Sequence, residues 1–140
     1  MGSSFSYRSV DEDILSLLKS AIGEKNVSFD EEKLISYSHD EVPSSAYGCD
    51  HRAEVIVFPE GPSHVSEIMK IASAHRIPVT PRGAGTGLSG GALPVFGGIL
   101  MSFEKMNRII ELDEKNLTIT VEPGVVTSEI SKLAAAHDLL

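Results

Sequence analysis

The stretch Pro81-Arg82-Gly83-Ala84-Gly85-Thr86-Gly87-Leu88-Ser89-Gly90-Gly91 is where this sequence is equipped to do chemistry. Five of its eleven residues are glycine and two more are small, which leaves the backbone almost bare. Successive N–H groups in such a turn can converge into a concave nest that binds an anion. Glycine permits both the positive φ angles involved and the close approach of a phosphate. Arg82 would add a positive charge. The competing reading is a tight connection with no ligand, but ordering so long a glycine run is costly in entropy without a compensating contact.

Two common nucleotide motifs fail here. Gly85-x-Gly87-x-x-Gly90 satisfies the dinucleotide fingerprint, and Asp113 sits about twenty residues further on, as that pattern asks. The fingerprint must also open a helix whose N-terminus faces the pyrophosphate. The residues that follow, Ala92-Leu93-Pro94-Val95-Phe96-Gly97-Gly98, cannot form one. No Gly-Lys-Ser/Thr follows either, so the stretch is not a P-loop.

The elements around the loop can be read from spacing. Ser9-Val10-Asp11-Glu12 has the form of a capping box, followed at helical spacing by Ile14, Leu15, Leu18 and Ile22, with Gly23 as the stop. Ser28 to Glu31 opens a second, short helix through Leu34, Ile35 and Tyr37, and Asp40 to Arg52 is a loop. Val55-Ile56-Val57-Phe58, closed by Pro59, suits a buried strand. Pro62-Ser63 starts a helix with Val65, Ile68, Met69 and Ala72 on one face, and Ile77 to Pro81 is extended. These make a strand–helix–strand unit, which should be parallel and right-handed. After the glycine-rich residues 83–98 comes an apolar strand, Ile99 to Phe103. Arg108–Leu112 and Leu117–Glu122 form a hairpin over Asp113–Asn116, with Leu117, Ile119 and Val121 on a buried face. Thr127 caps a last helix carrying Ile130, Leu133 and Ala134. Asp138-Leu139-Leu140 reads either as the start of a further strand or as a frayed apolar tail.

A strand that ends Pro-Arg-Gly-x-Gly-Thr-x-x-x-Gly, preceded by a strand–helix unit starting near Phe58-Pro59, resembles the FAD-linked oxidases of the vanillyl-alcohol oxidase/p-cresol methylhydroxylase type. Within that superfamily the run PRGAGTGLSGGA is similar to the glycolate oxidase flavoprotein subunit and its D-lactate and D-2-hydroxyglutarate dehydrogenase relatives. The resemblance continues through Met106-Asn107-Arg108-Ile109, Val121-Glu122-Pro123-Gly124-Val125 and Ser128-Glu129-Ile130, and covers roughly residues 30–140.

It implies an α+β fold, the first subdomain of a two-subdomain FAD-binding domain, with residues 1–52 a helical lead-in and 53–140 the incomplete subdomain. By the same resemblance, Pro81, Arg82, Gly83, Ala84, Gly85, Thr86, Gly87, Leu88, Ser89, Gly90 and Gly91 would wrap the FAD pyrophosphate. Glu122, Pro123 and Gly124 would lie near the flavin or its ribityl chain. Relatives that attach FAD covalently carry a histidine where Thr86 stands, so the flavin is expected to be non-covalent. The parent protein would oxidise a small 2-hydroxy acid by hydride transfer to N5 of FAD. No catalytic residue is expected within these residues, because the acid–base groups would lie beyond Leu140.

Composition bounds the partners. A net charge of −8 over 140 residues speaks against nucleic acid, and no apolar run approaches the ~20 residues of a membrane helix. Cys49 stands alone, and Met1-Gly2-Ser3-Ser4 lacks the pattern of a secretion signal, so a reducing, cytoplasmic setting is expected. His39, Asp40, Glu41, His51, His64 and His75 lack metal-site spacing. Glu104, Glu111, Asp113 and Glu114 read as an acidic hairpin face, Met69 and Met101 as core filling, and Ser89 as no nucleophile. Two alternatives to a flavoenzyme part stay open. One is an interaction module that docks a missing subdomain, another chain or a second copy through an open apolar face. The other is a binder of simple phosphates that does not prefer FAD to ADP.

Overall fold

The computed structural model describes residues 6–41 and 51–139. Helix α1 (Glu12–Ile22) is capped by Asp11, whose carboxylate accepts from the Ile14 amide at 3.0 Å. The expected capping box at Ser9 is displaced, because an aspartate directly before the first turn caps as well as serine and also meets the helix dipole. A short 3-10 turn, Glu24–Asn26, leads into strand β1 (Val27–Ser28), which the sequence reading lacks. Helix α2 (Glu31–Tyr37) repeats the correction: Asp30 accepts from Lys33 N at 3.0 Å, while the expected cap Ser28 lies in β1. Most of the expected loop after Asp40, with Cys49, falls outside the described residues.

Strand β2 (Val55–Val57), helix α3 (Pro62–His75), strand β3 (Val79–Arg82) and strand β4 (Ile99–Ser102) follow. The sheet runs β1-β2-β4-β3, with β4 parallel to both neighbours and β1 antiparallel to β2. The expected parallel strand–helix–strand unit is therefore present, with β4 inserted between its two strands.

Side chains alternate across this sheet, and the two faces are packed differently. Val55, Val57, Ile99 and Met101 face α1 and α3, in a cluster with Ile14, Leu18, Ile68 and Ala72. Ile56, Phe58 and Leu100 point the other way and pack with Leu34 and Ala53. A strand covered on both faces reads as a continuous apolar run, which is why β2 and β4 contain no polar residue before Ser102. Met101 is core, as its position suggests. Met69 is 45% exposed and does not fill the core. Its place in the periodic set is one position off the narrow stripe, Ile68 and Ala72, that α3 buries.

A separate two-stranded ribbon, β5 (Ile109–Asp113) and β6 (Thr118–Val121), pairs antiparallel with an irregularity between Ile109 and Glu111. Ile119 and Val121 are half-buried while Thr118 and Thr120 are exposed. Leu117 is 74% exposed at φ +54, so it belongs to the turn and not to the buried face expected for it. Helix α4 (Thr127–Ala136) follows without a side-chain cap, since Val126 occupies the cap position and Thr127 is already helical. Leu139 N donates to Ala134 O at 3.0 Å, which closes the C-terminal end of α4. Among the described residues no helix is long and apolar enough to cross a membrane.

The ribbon is fastened to the sheet through one glycine. Gly124 N donates to Met106 O at 2.8 Å, and Met106 N donates to Phe103 O at 2.8 Å in the turn after β4. A Cβ on Gly124 would run into the Phe103 carbonyl and crowd that of Met106. Backbone carbonyls cannot rotate aside as a flexible side chain can. Gly124→Ala is therefore expected to destabilise the fold by about 1–3 kcal/mol, whereas Gly87→Ala, with nothing within 4 Å of the added carbon, should change stability by less than about 0.5 kcal/mol. Paired urea denaturation curves check this, and equal midpoints would refute it.

Candidate functional site

In open sheets with parallel strands, crevices form beyond the carboxyl ends of those strands. Here β3 and β4 end side by side at Arg82 and Ser102, which are partners in the parallel register. Partnered residues share a face, so both side chains lie on the α2 side of the sheet with Leu100. The alternation continues past β4: Phe103 packs against the α1/α3 cluster, and Glu104 falls on the same side as Ser102. A cleft of about 640 Å³ opens there, walled by Tyr37 of α2, by Arg82 to Ala84, by Ser102 and Glu104, and by Gly124 to Val126 at the start of α4.

The Tyr37 hydroxyl donates to Glu104 Oε2 at 2.7 Å, and the Ser102 hydroxyl donates to the same oxygen at 3.3 Å. This hydrogen bond to a carboxylate, reinforced by partial burial and the negative charge of Glu104, pushes Tyr37 up to about 12. Glu104 therefore belongs to the cleft and not to an acidic hairpin face. Neither Tyr37 nor Glu104 was singled out for the site from sequence. Only the parity of β4, extended two residues past its end, could have found Glu104.

Arg82 turns inward. Its Nη1 donates to the His39 carbonyl, and its guanidinium lies over the Tyr37 ring, 5.8 Å from the centroid. Burial draws its pKa below the usual value, and Asp40 and Tyr37 act against that shift. Gly85 sits directly on the guanidinium at φ +72, and a Cβ there would collide with it. Gly85 is thus needed twice, for its backbone angle and for the space that Arg82 occupies. The arginine expected to supply charge to a ligand serves in this conformation as the root of the loop.

From Gly83 to Gly91 there are nine consecutive amides, and among the described residues none of them donates to a protein acceptor. Gly85 and Gly90 both take φ +72. Leu88 stands 78% exposed on the loop. Nine unengaged donors on a strand-to-strand connection are what a cradle for an anionic ligand requires. Gly83 and Ala84 line the cleft and the rest of the loop extends from it. The residues present therefore suit a group that carries several phosphate oxygens.

Of the second expected contact, only Gly124 lines the cleft. The Glu122 side chain is 6% exposed and accepts from Arg108 N at 2.8 Å, Nη2 at 2.7 Å and Nε at 3.1 Å. These bonds from Arg108 hold the Glu122 carboxyl below the usual range and raise the Arg108 guanidinium above its own. The pair braces the base of the ribbon. Asp113, twenty-odd residues beyond the glycines, closes the β5–β6 turn by accepting from the amides of Lys115 and Asn116, both at 3.0 Å. Among the described residues no three His, Cys, Asp or Glu side chains come together as a metal site.

The FAD binding domain family matches residues 53–140. Glycolate oxidase subunit GlcD of Bacillus subtilis is 34% identical over 130 residues, covering 93% of this chain and 27% of that protein. D-Lactate dehydrogenase of Anaerostipes hadrus is 33% identical over 138 residues, 99% of this chain and 28% of that one. D-2-Hydroxyglutarate dehydrogenase of Stutzerimonas stutzeri is 38% identical over 96 residues, 64% and 21% of the respective chains. The crystal structure of p-cresol methylhydroxylase with substrate bound superimposes with a TM-score of 0.76 at 25% identity, over 89% of this chain and 24% of that one. The chain spans about a quarter of the length of the curated relatives it matches.

The Tyr37–Glu104 bond has a pH signature. A tyrosine raised above its unfolded value near 10 adds stability that is fully present below pH 10 and is lost as pH rises through about 12. Phenolate absorbance should show one of the three tyrosines ionising near 12. In Glu104→Gln that step should move back towards 10. The absence of any tyrosine step near 12 in the unsubstituted chain would contradict the bond.

Proposed function

Because the chain belongs to the FAD binding domain family, we propose that it is the FAD-binding part of a flavin-dependent oxidoreductase acting on a small 2-hydroxy acid of the glycolate or D-lactate type. The observation that carries the cofactor half of this reading is the run of nine amides from Gly83 to Gly91 that have no protein acceptor among the described residues. The substrate half draws on the relatives, whose names share a hydroxyl on the carbon beside a carboxylate.

Each residue then has a task. The stretch Gly83 to Gly91 holds the pyrophosphate through backbone donors, which suits a chain of net charge −8 because dipoles do the work that surface charge would oppose. Arg82 fixes the loop at its root, and Gly124 to Val126 form a further wall, with the Glu122 carboxylate bracing the preceding turn through Arg108. Ile109, Val125 and Val126 give the cleft an apolar side. When bound, FAD supplies hydride acceptance from the carbinol carbon of the acid. Binding is non-covalent, since Pro81–Gly91 contains neither histidine nor cysteine. The other wall of the cleft and the acid–base groups come from further polypeptide or another chain, and the lone Cys49 fits a reducing, cytoplasmic setting.

A second reading, an interaction module that keeps the fold without redox chemistry, is favoured by the exposure of Ile110 at 62%, Leu117 at 74% and Val126 at 53% along the ribbon and its exit. Such a face would serve a homodimer or a partner chain.

FAD titration followed by flavin fluorescence and thermal shift separates these readings. Saturable binding is expected, with loss in both Gly85→Val and Gly87→Val. The two variants differ in kind. Gly85→Val disturbs Arg82 and should also lower the melting temperature, whereas Gly87→Val faces open space and should keep its stability while losing FAD. A well-folded chain that self-associates without taking FAD would favour the interaction module.

A further inference from the structure

The cleft contains an acceptor as well as donors. Glu104 Oε2 receives both the Tyr37 and the Ser102 hydroxyls, at 2.7 and 3.3 Å. Two donors on one oxygen fix the carboxylate in orientation. Oε1 has no protein partner among the described residues, although a carboxylate offers about four lone-pair sites. Arg82 is the one lysine or arginine among the described residues lining the cleft, and it is engaged with the His39 carbonyl and the Tyr37 ring.

A carboxylate in this position repels phosphate oxygens, so its natural partner is a neutral donor next to the phosphates. We propose that Glu104 is the hydroxyl-accepting residue of the nucleotide site, with Oε1 taking a hydrogen bond from one of the sugar-type hydroxyls that flank the pyrophosphate. Tyr37 acts through Glu104 as its positioning residue. This inference rests on the reading of Gly83–Gly91 as a pyrophosphate cradle, and the two share one cavity wall, since Gly83, Ala84 and Glu104 line the same cleft. FAD carries such hydroxyls on both sides of its pyrophosphate, on the ribose of the adenosine half and on the ribityl chain of the flavin half. Either can supply the donor.

The test titrates the unsubstituted chain, Glu104→Ala, Glu104→Gln and Tyr37→Phe with FAD, ADP, FMN and inorganic pyrophosphate, using calorimetry for all four ligands and thermal unfolding as the control for folding. A hydrogen bond to a charged group corresponds to about a tenfold to hundredfold change in affinity. Glu104→Ala should weaken FAD by that factor and leave pyrophosphate, which has no hydroxyls, unchanged or tighter. Tyr37→Phe should give a smaller loss, because the acceptor remains but one of its two orienting bonds is gone. A penalty that persists with ADP assigns the ribose, and one that persists with FMN assigns the ribityl chain. Equal or tighter FAD binding in folded Glu104→Ala and Glu104→Gln overturns the role of Glu104, since a merely repulsive carboxylate behaves in that way. Failure of the folded, unsubstituted chain to take either FAD or inorganic pyrophosphate overturns the cradle reading itself, and the role of Glu104 with it.

Discussion

The parallel pairing of Ile99–Ser102 between Val55–Val57 and Val79–Arg82 is the constraint on which the rest of the molecule depends. Because side chains alternate with a period of two, this register assigns every neighbouring residue to a face at once. Ile99 and Met101 are committed to the α1/α3 core, and Leu100 to the smaller core beneath α2. Ser102 and Arg82, on that second face, are carried just past the last apolar contact and become cleft residues. A slip of one residue would turn Leu100 to the α1/α3 face and Ile99 and Met101 to the face beneath α2, so that neither cluster would be filled by the residues it now holds. Removing a fully buried aliphatic side chain from such a core costs about 2–5 kcal/mol, so the register that makes the core also makes the cleft.

The loop that follows has a physical difficulty to solve. Amides that await a ligand do nothing to stabilise their own conformation, and glycine adds the largest backbone entropy to be lost. The chain resolves this at the root and not along the loop. Arg82 is clamped beneath Gly85 by the His39 carbonyl and the Tyr37 ring, and Phe103 N donates to Arg82 O at 2.9 Å. Past the loop, Gly97 and Gly98 turn at φ +71 and +70, and Glu54 N donates to Gly98 O at 2.9 Å as the chain re-enters the sheet. Both ends are fixed while the middle keeps its donors available. An arginine exposed to the ligand would have added affinity for any anion, including unwanted ones. An inward arginine favours shape over charge.

Much of this was legible in the sequence. The apolar runs, the helical periodicities and the glycine-rich loop each correspond to an element of the fold, and the α+β architecture follows from their order. Local chemistry was misread where two residues compete for one job. Asp11 and Asp30 displaced Ser9 and Ser28 as caps, since a carboxylate meets both the free amides and the helix dipole. Leu117 read as a strand residue by alternation, yet the turn drew it to a positive φ. The partners of Arg82 were beyond reach because they come from α2 and the residues just past it, more than forty residues earlier, and no pattern in either segment announces the other. Tyr37 shows the same limit: its helical spacing suggests core, and it does touch Phe58, with the ring centroids 5.8 Å apart, but its hydroxyl reaches into the cleft.

Glu122 and Gly124 illustrate how one short motif can carry two separate duties. The dipeptide Pro123-Gly124 had suggested a contact with the cofactor, and Gly124 does line the cleft. Yet what demands glycine there is the approach of the Phe103 and Met106 carbonyls, which is a requirement of packing. The acid beside it is equally constrained. Glu122 is almost fully enclosed, and a buried carboxylate without partners would be far more costly than the ion pair it forms with Arg108. Together the glycine and the acid hold the β5–β6 ribbon against the turn after β4, so that α4 begins at the cleft's edge. The segment matters to the site because it sets where the second wall stands, and this would hold even if none of its side chains touched a ligand.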